Sequence, residues 1–341
     1  MRATHQWYQT IRLEHESARA AYYIDDRVPK LGEVLVQKNL AETYRKIAEG
    51  GPSVFYGGAI AEAIVRMSRA EGGFLTVADF AEHRSEWVEP LATDYRGFAV
   101  LGFPPNTQGI VSMGHNSIPA IHTMVEAKKL AYAVERAAMI DPNRAAHHVT
   151  PGEPDPTNTT YFNVADSRGN AVSFITSLKT PWGSQLVAGD TGILLQNRGN
   201  GFSLDPEHPN RFTPGTRPFH TINPAMVMQD GKPYMLLGCA GGNQQTIAMV
   251  QVLVNVLDFG MNIQDAIEAK RWTHLDGVRI ALEIGLSDTE RGTFARLGHD
   301  IVANDDPDVY WGDCQVIRLD RETGTLFGGS ESRASGAALG Y

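Results

Sequence analysis

Cysteine is nearly absent: the 341 residues hold two, Cys239 and Cys314, far apart and in apolar surroundings. That excludes a disulfide-built scaffold, and the pair reads as buried free thiols rather than as a disulfide or a metal pair. There is no basic block, and the formal net charge is −9, which argues against a nucleic-acid surface. No apolar run approaches the length of a membrane span. The start, Met1-Arg2-Ala3-Thr4-His5-Gln6-Trp7, lacks the apolar core of a secretory signal, so a cytoplasmic location is expected. Internal repeats and low-complexity tails are missing too. What is there is 42% hydrophobic and 20% charged, enough for a packed core in one or two domains. Thirty-four glycines suggest many tight turns, as in an α/β or α+β enzyme.

Periodicity and stop signals order the chain. Glu14–Ala21 reads as the last part of a helix. A helix after Lys38 ends near Glu49-Gly50-Gly51, and Ala59–Arg69 carries Ile60, Ala63, Ile64 and Met67 at helical spacing. Thr76 caps a short helix with Asp79 three residues on. Trp87–Thr93 and Phe98–Gly102 read as strands, Pro104–Gly109 as a turn, and Ile121–Met139 as a helix. On that helix His122, Glu126 and Lys129 lie near one face and read as wet surface rather than a metal site; His147-His148 reads as solvated loop. Further on, strands are expected at Ala225–Gln229, Pro233–Leu237, Val278–Leu282 and Cys314–Leu319. Helices are expected at Thr246–Phe259, Ala266–Arg271 and Asp288–Leu297. Gly238-Cys239-Ala240-Gly241-Gly242-Asn243 reads as a strand-to-helix turn.

Near the middle, the loop Pro151-Gly152-Glu153-Pro154-Asp155-Pro156 is a poor helix or strand and is expected to be exposed. It feeds Thr157-Asn158-Thr159-Thr160-Tyr161-Phe162. Thr159–Asp166 and Ala171–Leu178, rich in Thr, Val, Phe and Ile, flank Ser167-Arg168-Gly169-Asn170 and read as a β-hairpin. If Asp166 pairs with Ala171, Thr159 falls opposite Leu178, beside Ser177 and Lys179.

These residues resemble the γ-glutamyltranspeptidase family of N-terminal nucleophile hydrolases. The matching stretches are Thr159-Thr160 ahead of Val164-Ala165-Asp166, Gly169-Asn170-Ala171-Val172-Ser173, Gly192–Asn197, Pro214–Pro218, Gly238 with Gly241-Gly242, Asp258–Asn262 and Gly336–Tyr341. Upstream, Gly50-Gly51, Phe55–Gly58, Gly72-Gly73 and Pro104-Pro105 look like the family's large subunit. The resemblance implies an α+β fold, the four-layer αββα sandwich of two antiparallel sheets between helices. It implies a large-subunit-like region, 1–158, and a small-subunit-like region, 159–341, together one structural domain.

The family cuts itself just before a Thr; here that bond would be Asn158–Thr159. A Thr hydroxyl is a weak nucleophile and needs a base. A free α-amine titrates at about 7.7–8.0, close to working pH. Cleavage puts that amine on the residue that carries the hydroxyl, so the two are pre-aligned. From Thr-Asn-Thr-Thr alone, Thr159 is one more β-branched strand residue; the family order gives it the catalytic role. Gly241 and Gly242 match the oxyanion glycines, though a tight turn needs glycine as well. Ser177 matches a Thr that bonds the nucleophile's hydroxyl, or is a cross-strand surface Ser.

Departures from the family shape the expected substrate. The acid that holds the α-amino group of a γ-glutamyl substrate falls at Gly201, the Ser pair at His220-Thr221, and an Asn near the nucleophile at Lys179. Lys179, Arg198, His220 and Thr221 are therefore expected to contact the substrate, an amide of an acid or oxo-acid, as in the family's acylase and oxamate-amidohydrolase-like branch. Lys179 read alone is a solvated cation, and His220 read alone orders its loop. The family's N-terminal third, which supplies core strands, helices and an arginine, is expected to be missing, and segments near Met113-Gly114 and Ala133-Val134 look shortened. Three readings follow: an autoprocessing amidohydrolase or acyltransferase; γ-glutamyl transfer with glutathione hydrolysis; or a truncated, non-catalytic or partner-dependent remnant. The resemblance calls for no metal or organic cofactor. It implies a small-molecule substrate, a heterodimer of the chain's own two fragments if cut, and room for a homo-oligomer.

Overall fold

Helix ends in the first part of the chain follow local chemistry. The computed structural model describes residues 13–30, 32–104, 121, 125, 158–208, 210–304, 309–334 and 336–340. Helices α1 (Glu16–Tyr22), α2 (Lys38–Gly50), α3 (Pro52–Tyr56), α4 (Ala59–Ala70) and α5 (Val77–Ala81) come first. Pro52 opens α3, where its missing N–H leaves no bond unmade. Thr76 and Asp79 form a reciprocal capping box on α5. The apolar stripe of α4 buries Ile60, Ala61, Ala63, Ile64 and Val65.

Two compact units divide the chain, residues 1–87 with 178–197 and residues 88–177 with 198–341. In the first unit α4 packs with Ala188, Ile193 and Leu195, and Thr43 donates to the Thr191 carbonyl at 2.8 Å. Gly192 is held at φ +70°, and a Cβ there would lie 2.6 Å from the Leu40 nitrogen, so this position accepts only glycine.

The second unit is built on a six-stranded antiparallel sheet. Its strands are β1 (Leu91–Tyr95) and β2 (Phe98–Gly102), then, after the hairpin β3 (Asn158–Ala165) and β4 (Ala171–Lys179), β5 (Ala225–Gln229) and β6 (Lys232–Ala240). After α6 (Gln244–Leu257), α7 (Ile263–Glu268), β7 (Trp272–His274), β8 (Arg279–Leu282), α8 (Asp288–Arg296) and β9 (Asp300–Ile301) come β10 (Asp313–Leu319) and β11 (Leu326–Ser330). The order in the sheet is β1-β2-β5-β6-β10-β11; β3-β4 and β7-β8-β9 are separate.

Alternation along β6 assigns its two faces. Met235, Leu237 and Cys239 turn to α6 and α7, where Met249, Val252, Leu253 and Ile267 complete the core. The opposite face meets the hairpin through Gly238, over which Tyr161 lies. The layers run helix, sheet, hairpin, within the α+β class expected. Helix α6 is buried all round because it is covered twice: Ile247, Val250 and Val254 face Trp272, Ile280, Leu282 and Phe294, with Ile121 and Val125. Cys239 and Cys314 are register partners across β6 and β10, fully buried and unlinked.

One ion network lies inside this unit. Arg271, 2% exposed, donates to the carbonyls of Trp311, Gly312 and Ile267 and pairs with Glu331 at 2.6 Å. Arg333 joins Glu331 to Glu283. The network pins the segment entering β10 to the start of β7. Removing one partner would strand a buried charge, at about 3–5 kcal/mol.

The strand expected at Trp87–Thr93 begins later, at Leu91. The chain expected to turn at Gly238 instead stays extended to Ala240. The Pro151–Pro156 loop, most of the Pro104–Gly109 turn, nearly all of the Ile121–Met139 helix and His147-His148 lie outside the described residues, as do the segments near Met113 and Ala133.

Candidate active site

Alternation along the hairpin decides which side chains can meet. On β3, Thr159, Tyr161 and Asn163 turn toward β6 and β10, while Thr160, Phe162 and Val164 turn out. Tyr161 is 7% exposed. A Cβ on Gly238 would lie 2.1 Å from its ring, so the missing side chain is what lets β3 approach the sheet. The Tyr161 hydroxyl lies 2.8 Å from Ser173 Oγ, and Asn163 Nδ2 donates to the Gln315 carbonyl at 3.1 Å. Burial pushes the Tyr161 phenol up to about 12, so it stays protonated.

On β4 the inward residues are Ser173, Ile175 and Ser177. The Asp166 N–H donates to the Asn170 carbonyl at 3.0 Å, and Gly169 closes the turn at φ +86°. Asp166 therefore faces Asn170, not Ala171. This corrects the expected register by one residue and sets Thr159 against Ser177 instead of Leu178. Thr159 Oγ1 donates to Ser177 Oγ at 3.1 Å, and Arg198 Nη2 donates to the same oxygen at 3.0 Å. One serine oxygen thus uses both acceptor positions, one on the threonine and one on the guanidinium.

Arg198 opens a 3-10 turn, Arg198–Gly201. Asn210 fastens that turn to the segment before β5: its Nδ2 donates to the Gly201 carbonyl at 2.7 Å, and its Oδ1 accepts from Phe219 N–H at 3.0 Å. Sequence reasoning missed Asn210, which sits in a proline-bearing loop with no motif around it. His220 follows, half-buried. Burial first, then the charges of Arg198 and Arg217, lower its pKa to about 4. Ile222 N–H donates to Nδ1, so the neutral ring carries its proton on Nε2. Thr221 is half-buried beside it.

The Gly241-Gly242 turn links β6 to α6, three residues beyond the glycine under Tyr161. Gly241 has φ +132° and Gly242 φ +52°, and their carbonyls accept from Gln244 and Gln245 at the start of α6. A Cβ on Gly241 would meet the Tyr310 ring at 2.6 Å. Tyr310 in turn donates to Asp313. Burial pushes up both the Tyr310 phenol and the Asp313 carboxyl. Lys179 ends β4 at φ +77°, on the other side of the division between compact units from Thr159. Asn158 is the first residue of β3. Among the described residues no group of His, Cys, Asp and Glu could hold a metal ion, and no helix is long and apolar enough to cross a membrane.

Thr159 thus presents a hydroxyl held by a second hydroxyl on the inward face of β3, and the glycine pair stands at the start of α6. The sequence-family model of gamma-glutamyltranspeptidase matches residues 1–150 and 114–341. The chain belongs to the γ-glutamyltranspeptidase family. Within that family it is 37% identical to the glutathione hydrolase-like YwrD proenzyme of Bacillus subtilis, over 92% of this chain and 67% of that one. It is 32% identical to the glutathione hydrolase proenzyme of Escherichia coli, over 76% of this chain and 54% of that one. Among solved structures, the cephalosporin acylase from Bacillus halodurans superposes with a TM-score of 0.84 at 32% identity, over 99% of this chain and 70% of that one. The chain thus spans 54% to 70% of the length of these relatives, and its fold is that of the family's N-terminal nucleophile hydrolases.

Proposed function

We propose that this chain is an autoprocessing N-terminal threonine amidohydrolase or acyltransferase, acting on the amide of a small acid through an acyl-Thr159 ester. The observation that carries the reading is the Thr159 Oγ1 to Ser177 Oγ contact on the inward face of β3. In the uncut chain Thr159 Oγ attacks the Asn158 carbonyl. The acyl group moves from nitrogen to oxygen, and water then cleaves the ester, releasing the Asn158 carboxylate and the Thr159 α-amine.

In turnover that amine takes the proton of Thr159 Oγ as the oxygen attacks the substrate carbonyl. The N–H groups of Gly241 and Gly242 receive the developing oxyanion; losing one such donor costs about 2.7–4 kcal/mol of barrier. The amine returns the proton to the leaving group, and water or an acceptor amine resolves the ester. Ser177 orients Thr159, and Arg198, His220 and Thr221 contact the acyl or leaving group. Incubation followed by N-terminal sequencing tests this: a new terminus reading Thr159-Thr160-Tyr161-Phe162 is expected. An uncut chain that nonetheless turns over amides would overturn it.

A second reading, γ-glutamyl transfer with glutathione hydrolysis, is favoured by the glutathione hydrolase names of two relatives. Comparable turnover of γ-glutamyl and simple acyl amides would select it.

A further inference from the structure

We propose that Tyr310 and Asp313 are positioning residues for the Gly241-Gly242 turn. The Tyr310 ring, tethered through its hydroxyl to Asp313, fills the place of a side chain on Gly241 and fixes the direction of the turn's N–H groups. This rests on the reading of Gly241 and Gly242 as oxyanion donors and names what sets them.

The turn needs a support from outside. Gly241 at φ +132° and Gly242 at φ +52° stand in backbone conformations that favour glycine, the residue with the most freedom to lose. An oxyanion donor works only if its direction is set before charge develops. The Gln244 and Gln245 N–H groups engage the two glycine carbonyls from the α6 side. On the other side a Cβ on Gly241 would lie 2.6 Å from Tyr310 Cε1, 2.9 Å from Cδ1 and 3.2 Å from the Gly312 Cα. The edge of the ring and the Gly312 backbone therefore rest on Gly241 itself.

The segment that carries the ring is rigid. Asp313 is the register partner of Ala240, the residue before Gly241. The Cys314 carbonyl accepts from Glu331 on the β11 side, so by alternation the backbone bonds of Asp313 turn to Ala240 on β6. Arg271 holds the carbonyls of Trp311 and Gly312. A Cβ on Gly312 would lie 2.7 Å from Cys239 Sγ and 3.0 Å from Ala248 Cβ, so its backbone is wedged between β6 and α6. On that base the Tyr310 side chain still needs a tether, and its hydroxyl donates to Asp313. Cys314 and Val316 face the core, so Asp313 and Gln315 take the face that meets the hairpin, where the Gln315 carbonyl accepts from Asn163. The tether thus lies on the side of the sheet from which Thr159 approaches. Two fifths of Tyr310 stays open to solvent, so its contribution to the core is small and placement can be separated from folding.

The test uses the full chain with glutaryl and γ-L-glutamyl p-nitroanilide, taking whichever the wild type turns over faster. Tyr310→Leu is expected to lower kcat by about 10²-fold with KM within about twofold, since a small misplacement of donors is felt only as charge develops. Its urea midpoint should stay near that of the wild type. Tyr310→Phe keeps the ring and should recover most of the loss. Asp313→Ala should lower kcat in the same way, and Asp313→Asn, which keeps an acceptor oxygen, should restore it. A second measurement needs no turnover: hydrogen exchange of the uncut Thr159→Ala chain. Adding Tyr310→Leu should speed exchange at Gln244 and Gln245 by about tenfold and leave the β10–β11 hairpin unchanged. Unchanged exchange, a rise in KM with kcat intact, or equal losses in the Phe and Leu variants overturns the proposal. Faster exchange in a chain that turns over no amide supports the buttress and sinks the catalytic reading alone.

Discussion

The two faces of the β3–β4 hairpin invert the usual pattern. A half-buried antiparallel sheet turns apolar residues in and polar ones out. Here Thr159, Asn163, Ser173 and Ser177 turn inward with Tyr161 and Ile175, while Phe162, Val164, Val172 and Phe174 turn outward, each more than two fifths exposed. Phe162 and Phe174 stack at 4.7 Å on that outer face. The inner face is therefore not placed by hydrophobicity alone. Hydrogen bonds and one ring laid on a bare backbone hold it, and each such contact carries a large share of the placement. The outer face has area without specificity, and no single residue there decides anything.

That contrast sets the scale of what substitutions should do. Thr159→Ala should abolish both the cut and turnover, a loss of about 10³-fold or more, seen on a denaturing gel and in a p-nitroanilide assay. Thr159→Ser should keep both, and an active Thr159→Ala chain would break the comparison at its root. Next, Tyr161→Ala on the inner face should cost about 3–5 kcal/mol in urea unfolding. Gly238→Ala should cost about 1–3 kcal/mol by overpacking against the same ring. The two should be strongly non-additive, because they spoil one contact; simple additivity would show that Tyr161 does not rest on Gly238.

A smaller effect is expected at His220. Its folded pKa, about 4, lies below the ordinary value near 6.5, so between these pH values the unfolded chain binds more protons. Stability should rise with pH across that window and flatten above it, and His220→Asn should reduce the slope of urea midpoint against pH. Least of all, Phe162→Thr and Phe174→Thr on the outer face should change stability by about 0.2–1 kcal/mol each, the range of a cross-strand pair. A loss as large as that of Tyr161→Ala would mean that the outer face is also a structural anchor.

Much of this architecture was legible in the sequence because the signals were local. The Thr76–Asp79 cap, the stripe on α4, the apolar run of α6 and the hairpin needed only spacing and turn chemistry. What escaped depended on neighbours distant in sequence. Gly238 read as a turn because glycine usually marks one, yet it lies within a strand and is required by a tyrosine far upstream. β11, Leu-Phe-Gly-Gly-Ser, carries little strand propensity; its Gly329 admits Ile267 of α7, 2.8 Å from where a Cβ would lie. The register slipped by one residue because Gly169 lets the turn close on Asn170. Of the candidate site, Thr159 and Ser177 were expected together, and Arg198 was expected only near the substrate. Its bond to Ser177 depends on a turn that Asn210 fixes, and no spacing encodes that.

The sealed pair Cys239 and Cys314 has a practical consequence. Both cysteines are fully buried between the sheet and α6, and burial holds the Cys239 thiol well above its ordinary pKa. A thiol-specific dye can reach them only when helix and sheet part. The rate at which the native chain takes up that dye is thus a clock for the opening of its own centre, built from two atoms it already possesses.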